Sequence, residues 1–192
     1  MTSTGAKRRG QILEAAVQVF ANQGYDRARM EEIAETAGIA KATLYEYFAS
    51  KHEMFIAAIE CAYEEYLASL RKAVDEHDLF SAQLAALFER HIEYFGRVAS
   101  VFYFSAQIPL GEEIRRVISK CKDGFDLFLD ELIERGRRAG EVRGDLDLSL
   151  AHCVIEGALM PLSHAALEKH IVCGPETTRK MAGYILEGLG TR

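Results

Sequence analysis

Apolar positions along the chain recur at intervals of three and four, the repeat of an amphipathic helix, and nowhere alternate with the period of two that marks a half-buried strand. Ile12, Leu13, Ala16, Val17, Val19 and Phe20 define a first helix, with Gly24 where a C-terminal glycine cap belongs. A shorter set, Met30, Ile33, Ala34 and Ala37, stops at Gly38, and Leu44 with Phe48 marks a third helix a few residues on. Ser50-Lys51-His52-Glu53 has the S-x-x-E form of a capping box. It opens a long helix through Phe55, Ile56, Ile59, Ala62, Tyr63, Tyr66, Leu67 and Leu70.

Downstream, Leu84, Leu87, Phe88, His91, Ile92 and Phe95 predict another helix, and Val101-Phe102-Tyr103-Phe104 a short one closed off by Pro109. Ile114, Val117, Ile118, Cys121, Phe125, Phe128, Leu129, Leu132 and Ile133 predict a long helix, ending in Arg135-Gly136-Arg137-Arg138-Ala139-Gly140. Leu148 to Leu167 and Thr177 to Leu189 supply the last two. The expectation is an all-α chain of about nine helices. The penultimate one is apolar around nearly its whole circumference, so it needs cover on every side. Gly157 and Ala158 would let another helix approach closely, which points to a second chain packed over Val154, Gly157, Ala158, Leu162 and Ala165. The central helix of a monomer is the other reading of that pattern.

Composition narrows the class. With 192 residues, 49% of them hydrophobic and 27% charged, the chain is an ordinary globular one, neither disordered nor fibrous. No stretch approaches the ~20 apolar residues of a membrane span, and the basic N-terminus leads into an amphipathic segment, so the chain reads as soluble and cytoplasmic, with no membrane partner. Cys61, Cys121, Cys153 and Cys173 are too far apart for a zinc site or a disulfide framework and are expected to be reduced. The net charge of −6 conceals a split: residues 1–51 carry +1 and the rest −7. An acidic body repels nucleic acid, but a small end with its cations on one surface can still dock.

Met30 to Phe48 has the arrangement a helix-turn-helix needs. Ala34 is small where two helices would cross, Gly38 is free to take positive φ at the turn, and Leu44 anchors the second helix from within. Leu44 and Phe48 hold that helix to the core, leaving Lys41, Thr43, Tyr45 and Tyr47 outward, a cation, a hydroxyl and two phenols suited to phosphate oxygens and base edges.

Here the sequence resembles the TetR family of transcriptional repressors. The resemblance lies in Ile12-Leu13-Glu14-Ala15-Ala16, Phe20, Gly24-Tyr25, Ile33-Ala34, Ala37-Gly38-Ile39, and Thr43-Leu44-Tyr45-Glu46-Tyr47-Phe48 followed by Ser50-Lys51. It implies an N-terminal three-helix DNA-binding domain over residues 1–49, with the motif at about 29–48. A larger ligand-binding and dimerisation domain would fill 50–192. Lys41, Ala42, Thr43, Tyr45 and Tyr47 inherit the recognition role, and Lys51 the family's phosphate contact. Two departures stand out: Arg29 and Ala40 occupy positions where the family often has a capping Ser or Thr. Arg29 is expected to contact phosphate instead.

The resemblance further implies a homodimer in which the last two helices pair with their mates, adding Ile185 to the interface residues above. It also implies an effector pocket among the middle helices, for which the candidates are Phe88, His91, Phe95, Phe102, Phe125, Phe128, His152 and Ile155, an apolar space with two imidazoles as polar anchors. The expected function is a ligand-responsive repressor, released from a palindromic operator on double-stranded DNA by an apolar or aromatic molecule. No enzyme is expected, since no nucleophile elbow, phosphate loop, dinucleotide fingerprint or helical metal pair is present, and no cofactor or metal is called for. A helical small-molecule carrier or sensor without DNA binding is the alternative.

Overall fold

The computed structural model describes residues 3–107, 111–167 and 174–189. Its elements are α1 (Ser3–Arg27), α2 (Met30–Thr36), α3 (Lys41–Tyr47), α4 (Lys51–Asp75), α5 (Phe80–Gln107), α6 (Glu112–Arg138), α7 (Leu148–Leu167) and α8 (Pro175–Leu189). Among the described residues there are thus eight helices and no strand. Two helices predicted separately after Leu84 are one, α5, of 28 residues. Gly96 is the sole breaker within it, and one glycine costs only about 1 kcal/mol, too little to end a long amphipathic helix. The last helix begins two residues earlier than its apolar pattern, with Pro175 in the first position, where a missing N–H has no helical partner to lose.

The residues pack into two compact units, one of 1–65 with 97–121, the other of 66–96 with 122–192, so α4, α5 and α6 each contribute to both. The boundary expected at 49/50 therefore falls inside the first unit.

In the first unit Ile12, Ala16 and Phe20 from the apolar stripe of α1, Ile33 of α2, Leu44 of α3 and Phe48 are all fully buried. Phe20 meets the Phe55 ring of α4 edge-on at 4.9 Å, and Tyr25 lies 4.8 Å from the same ring. Each such buried aromatic side chain stabilises by roughly 1.5–3 kcal/mol through area alone. Gly24, at φ 76°, breaks the course of α1 three residues before its end, as the glycine-cap pattern anticipates.

In the second unit Leu70 and Val74 of α4, Phe80, Leu84, Leu87 and Phe88 of α5, and Phe128, Leu129 and Leu132 of α6 are fully or almost fully buried. α6 ends in a Schellman motif around Gly140 (φ 76°), in which Glu141 N–H donates to the Gly136 carbonyl and Gly140 N–H to that of Arg137, each at 3.0 Å. Gly136 itself is required by close approach: a Cβ there would lie 2.7 Å from both the Phe80 ring and Val142 Cγ2.

α7 is two-faced in its surroundings although apolar all round. Ala151, Ile155, Leu159 and Leu162, at intervals of four and three, are buried in the chain's own core. Leu150 and Val154 are 65% and 45% exposed, and Cys153, Gly157 and Pro161 are exposed beside them. Tyr184 of α8 is 66% exposed.

Candidate functional site

The turn between α2 and α3 is built by the residues the motif singled out. Gly38 takes φ 64°, Ile39 N–H donates to the Ala34 carbonyl at 2.9 Å and Gly38 N–H to that of Glu35 at 3.0 Å, which is again a Schellman motif. α3 then leaves with Leu44 buried on one side and Phe48 buried just past its end. Lys41, Ala42, Tyr45 and Glu46 are exposed on the other side, and Thr43 and Tyr47 half-buried between. The face therefore carries one cation, three hydroxyls and one carboxylate.

The two missing caps have different outcomes. Arg29 takes the extended N-cap conformation, and its N–H is accepted by the Glu32 carboxylate at 3.2 Å, so the reciprocal half of a capping box survives without a Ser or Thr. The Arg29 residue itself is exposed. Ala40 has the extended N-cap backbone and no side-chain cap, so α3 starts on backbone bonds alone. At α4 the predicted Ser50 cap forms, with Ser50 Oγ accepting from Glu53 N–H at 3.1 Å, while the Glu53 carboxylate reaches one residue further back than in a capping box and accepts from Ala49 N–H at 2.8 Å.

Lys51 is placed differently from the expected phosphate contact. Its ammonium donates to the carbonyls of Tyr25 (2.8 Å), Ala28 (3.2 Å) and Asp26 (3.3 Å), and lies 4.5 Å from the centre of the Tyr25 ring. An ammonium has three donors, and all three are committed to the end of α1. These carbonyls have no helical partner, and a cation there also answers the negative end of the helix dipole. Lys51 thus ties α1 to α4.

Lys41 is also engaged. Its ammonium pairs with the Glu31 carboxylate of α2 and sits 5.9 Å from the centre of the Tyr45 ring. The contact holds the Lys41 pKa above its ordinary value and that of Glu31 below its own. Glu31 was missed at the sequence level because an acidic first turn on a short helix is what the dipole favours anyway.

In the second unit an aromatic cluster surrounds His91. Tyr66 of α4 places its hydroxyl 2.6 Å from His91 Nδ1 and stacks near Phe125 at 6.1 Å, while Phe95 stacks on the imidazole at 5.5 Å. Tyr94 lies 5.3 Å from Tyr66, and Phe128 6.1 Å from Phe125. His91 is 5% exposed and its Nε2 is buried without a hydrogen bond of ordinary geometry. Burial pushes the imidazole down to about 4, against a weaker opposing pull from the Leu159 backbone. His91 is therefore neutral at physiological pH.

Of the proposed pocket residues, the structure brings together His91, Phe95, Phe125 and Phe128. Phe88 and Ile155 are fully buried in the same unit. His152 lies apart from the cluster's ring contacts, its ring flanked by carboxylates of α6, with Nε2 3.1 Å from Asp130 and Nδ1 3.9 Å from Asp126. A polar residue on an otherwise apolar helix has found acids on the neighbouring helix, which periodicity on α7 could not reveal. The side chain of Phe102 lies outside the described residues. Tyr66, which read as an ordinary member of its apolar stripe, and Tyr94, which the apolar pattern did not single out, join the cluster.

Among the dimer candidates, Val154 and Gly157 are exposed and Ala158 half-buried, whereas Leu162 and Ile185 are covered by the chain's own core at 4% and 7% exposure. Leu162 falls on the buried row of α7, one turn from Leu159, so it belongs to the inner face. The side chain of Ala165 lies outside the described residues. A surface cleft of about 560 Å³ beside Arg71, Asp130, Glu134 and Arg138 is charge-compensated, with Arg71 paired to Glu131 and Arg135 to Asp75. Among the described residues no His, Cys, Asp and Glu group is arranged to hold a metal, and no helix is long and apolar enough to cross a membrane.

The family model "Bacterial regulatory proteins, tetR family" matches residues 12–58. The HTH-type transcriptional regulator YfiR of Bacillus subtilis (strain 168) is 31% identical over 140 residues, 70% of this chain and 68% of its own. The fatty acid metabolism regulator protein of the same strain is 27% identical over 152 residues, 78% of each chain. The crystal structure of the transcriptional regulator FadR from Bacillus subtilis, in complex with stearoyl-CoA, superposes with a TM-score of 0.73 over 93% of this chain and 98% of that one, at 22% identity.

Proposed function

The chain belongs to the tetR family of bacterial regulatory proteins, and from that premise we propose that it is a homodimeric repressor released from a palindromic operator by an apolar small molecule. It is a transcription regulator and not an enzyme. The observation that carries the reading is the α2–Gly38–α3 turn, with Leu44 and Phe48 buried and Lys41, Ala42, Thr43, Tyr45 and Tyr47 left on the outer side. In a two-fold dimer two such helices must lie about 34–36 Å apart, or a multiple, to enter successive major grooves. The exposed row of α7, Leu150, Val154 and Gly157, is the surface a second copy would cover.

Within the recognition face Lys41 and Arg29 supply charge, and Tyr45, 45% exposed, is the residue assigned to base contact. Lys51 acts by positioning α4 against the end of α1. The effector is assigned to the aromatic cluster of the second unit, where a neutral His91 paired to Tyr66 offers a single polar point among rings. That chemistry suits a long apolar molecule with one hydrogen-bonding group, and the fatty acid metabolism regulator among the relatives agrees with it. Tyr66 lies on the same helix, α4, that begins at Lys51, so a ligand against Tyr66 has a covalent route to the DNA-binding end. To release DNA, the ligand must favour the DNA-incompetent state by a few kcal/mol.

The test is a binding titration on a site recovered from random duplexes, in rising salt, with and without stearoyl-CoA as the probe. Binding with a steep negative log–log salt slope, weakened several-fold by the probe and abolished together with dimerisation by Ala158→Arg, is the expected outcome. A chain that binds the probe but no duplex at any salt would establish the carrier or sensor reading instead.

A further inference from the structure

Among the described residues, Glu31 is the acidic side chain paired with Lys41, the cation of the recognition helix. The pair with Lys41 is exposed, at 53% for Lys41 and 57% for Glu31, and an exposed ion pair contributes at most about 1 kcal/mol to stability. Its consequence lies in charge. With Lys41 held on Glu31 and over the Tyr45 ring, the face presents a neutral pair where its helix would otherwise present a free cation. Of the neighbouring acids, Glu32 is occupied with the Arg29 N–H, and Glu35 of α2 and Glu46 of α3 are exposed.

A protein docked loosely on random duplex keeps water between its face and the phosphates. There the carboxylate, in direct contact, outcompetes a hydrated phosphate for the ammonium. On a fitted site a phosphate or a guanine edge comes within direct reach, and Lys41 can change partner. We infer that Glu31 is a specificity-determining residue, which withholds Lys41 from DNA that does not bring an acceptor close enough to take it from the carboxylate. The inference rests on the DNA-binding reading above and adds to it a residue outside the recognition helix.

The experiment is a double-mutant cycle of wild type, Glu31→Gln, Lys41→Met and the double variant, each titrated against a mixed-sequence duplex and the selected site at several salt concentrations. Both substitutions are on exposed side chains, and equal melting temperatures check that the fold is kept. For Glu31→Gln the mixed duplex is expected to bind about threefold to tenfold tighter at moderate salt, with a slope steeper by roughly one unit. The gain on the selected site is smaller, so the specificity ratio falls. Lys41→Met costs less on mixed duplex in the wild-type background, where it removes a withheld cation and leaves Glu31 unpaired, than in the Glu31→Gln background, where it removes a free one. If Lys41→Met costs the same in both backgrounds, or Glu31→Gln tightens both duplexes equally, Glu31 is a plain repulsive charge and the inference is overturned. Failure of the underlying reading looks different: the wild type itself then binds neither duplex.

Discussion

Replacing Lys51 by Met keeps the aliphatic stem and removes the ammonium, and the structure fixes what is lost. Three carbonyls at the end of α1 lose a charged donor, at 2.8, 3.2 and 3.3 Å, and the Tyr25 ring loses a cation at 4.5 Å. A hydrogen bond to a charged group contributes about 1.5–3 kcal/mol net. The Asp26 carbonyl is exposed and regains water, so its bond contributes little; those to Tyr25 and Ala28 are part-buried. Against them stands the rotamer entropy that an ordered lysine gives up, about 1.5–2 kcal/mol. The balance is a destabilisation of about 2 kcal/mol, which for a chain of this length lowers the melting temperature by roughly 4–8 °C.

A phosphate-contacting Lys51 predicts something else: an unchanged melting temperature and a salt slope on DNA shallower by about one unit. Differential scanning calorimetry and a salt titration on the same preparation separate the two. The expected pattern for Lys51→Met is a lower melting temperature, with the salt slope of the surviving folded protein within a few tenths of wild type. Unchanged melting with the slope reduced by a full unit would show that the ammonium is free in solution and that the three carbonyl contacts are not what holds it.

Three further outcomes follow from particular contacts. Gly136→Ala ought to gain ~1 kcal/mol from helix propensity, but its Cβ would sit 2.7 Å from Phe80 and Val142, and overpacking of about 1–3 kcal/mol wins, so thermal denaturation should show a loss; a rise in melting temperature would mean that α6 does not approach Phe80 so closely. His91, ordinarily near 6.5 and held at about 4 by burial, lets the unfolded chain take up its proton first, so its contribution is complete above pH 6.5 and is lost as pH falls toward 4, about 3 kcal/mol in all; urea titrations across that window should fall more steeply for wild type than for His91→Gln. Burial and nearby glutamates push the Cys61 and Cys121 thiols up to about 11, whereas Cys153 is exposed on α7, so mass-mapped alkylation at pH 7.5 should mark Cys153 well before either; if a second copy covers the Val154 row, that labelling slows as protein concentration rises.

How far the sequence reached depended on whether the information was local. The helices, apart from the break expected within α5, the turn at Gly38 and the Ser50 cap are short-range patterns, and each appears where its residues sit in the chain. Partner choice is a tertiary matter and was not readable: Lys51 went to the end of α1, Lys41 to Glu31, and His152 to two aspartates of α6. In each case the side chain was correctly placed on its element, while its counterpart lay ten or more residues away on another helix. The aromatic cluster shows the same division. Phe95 and Phe125 were predicted inward by period, yet the group that gives the cluster a polar centre is the pairing of Tyr66 with His91, 25 residues apart, at 2.6 Å. A tyrosine at helical spacing reads only as an apolar member of its stripe. Its hydroxyl acquires meaning when burial leaves the neighbouring imidazole neutral and able to accept from it, and that depends on the desolvation of His91 by residues from other helices.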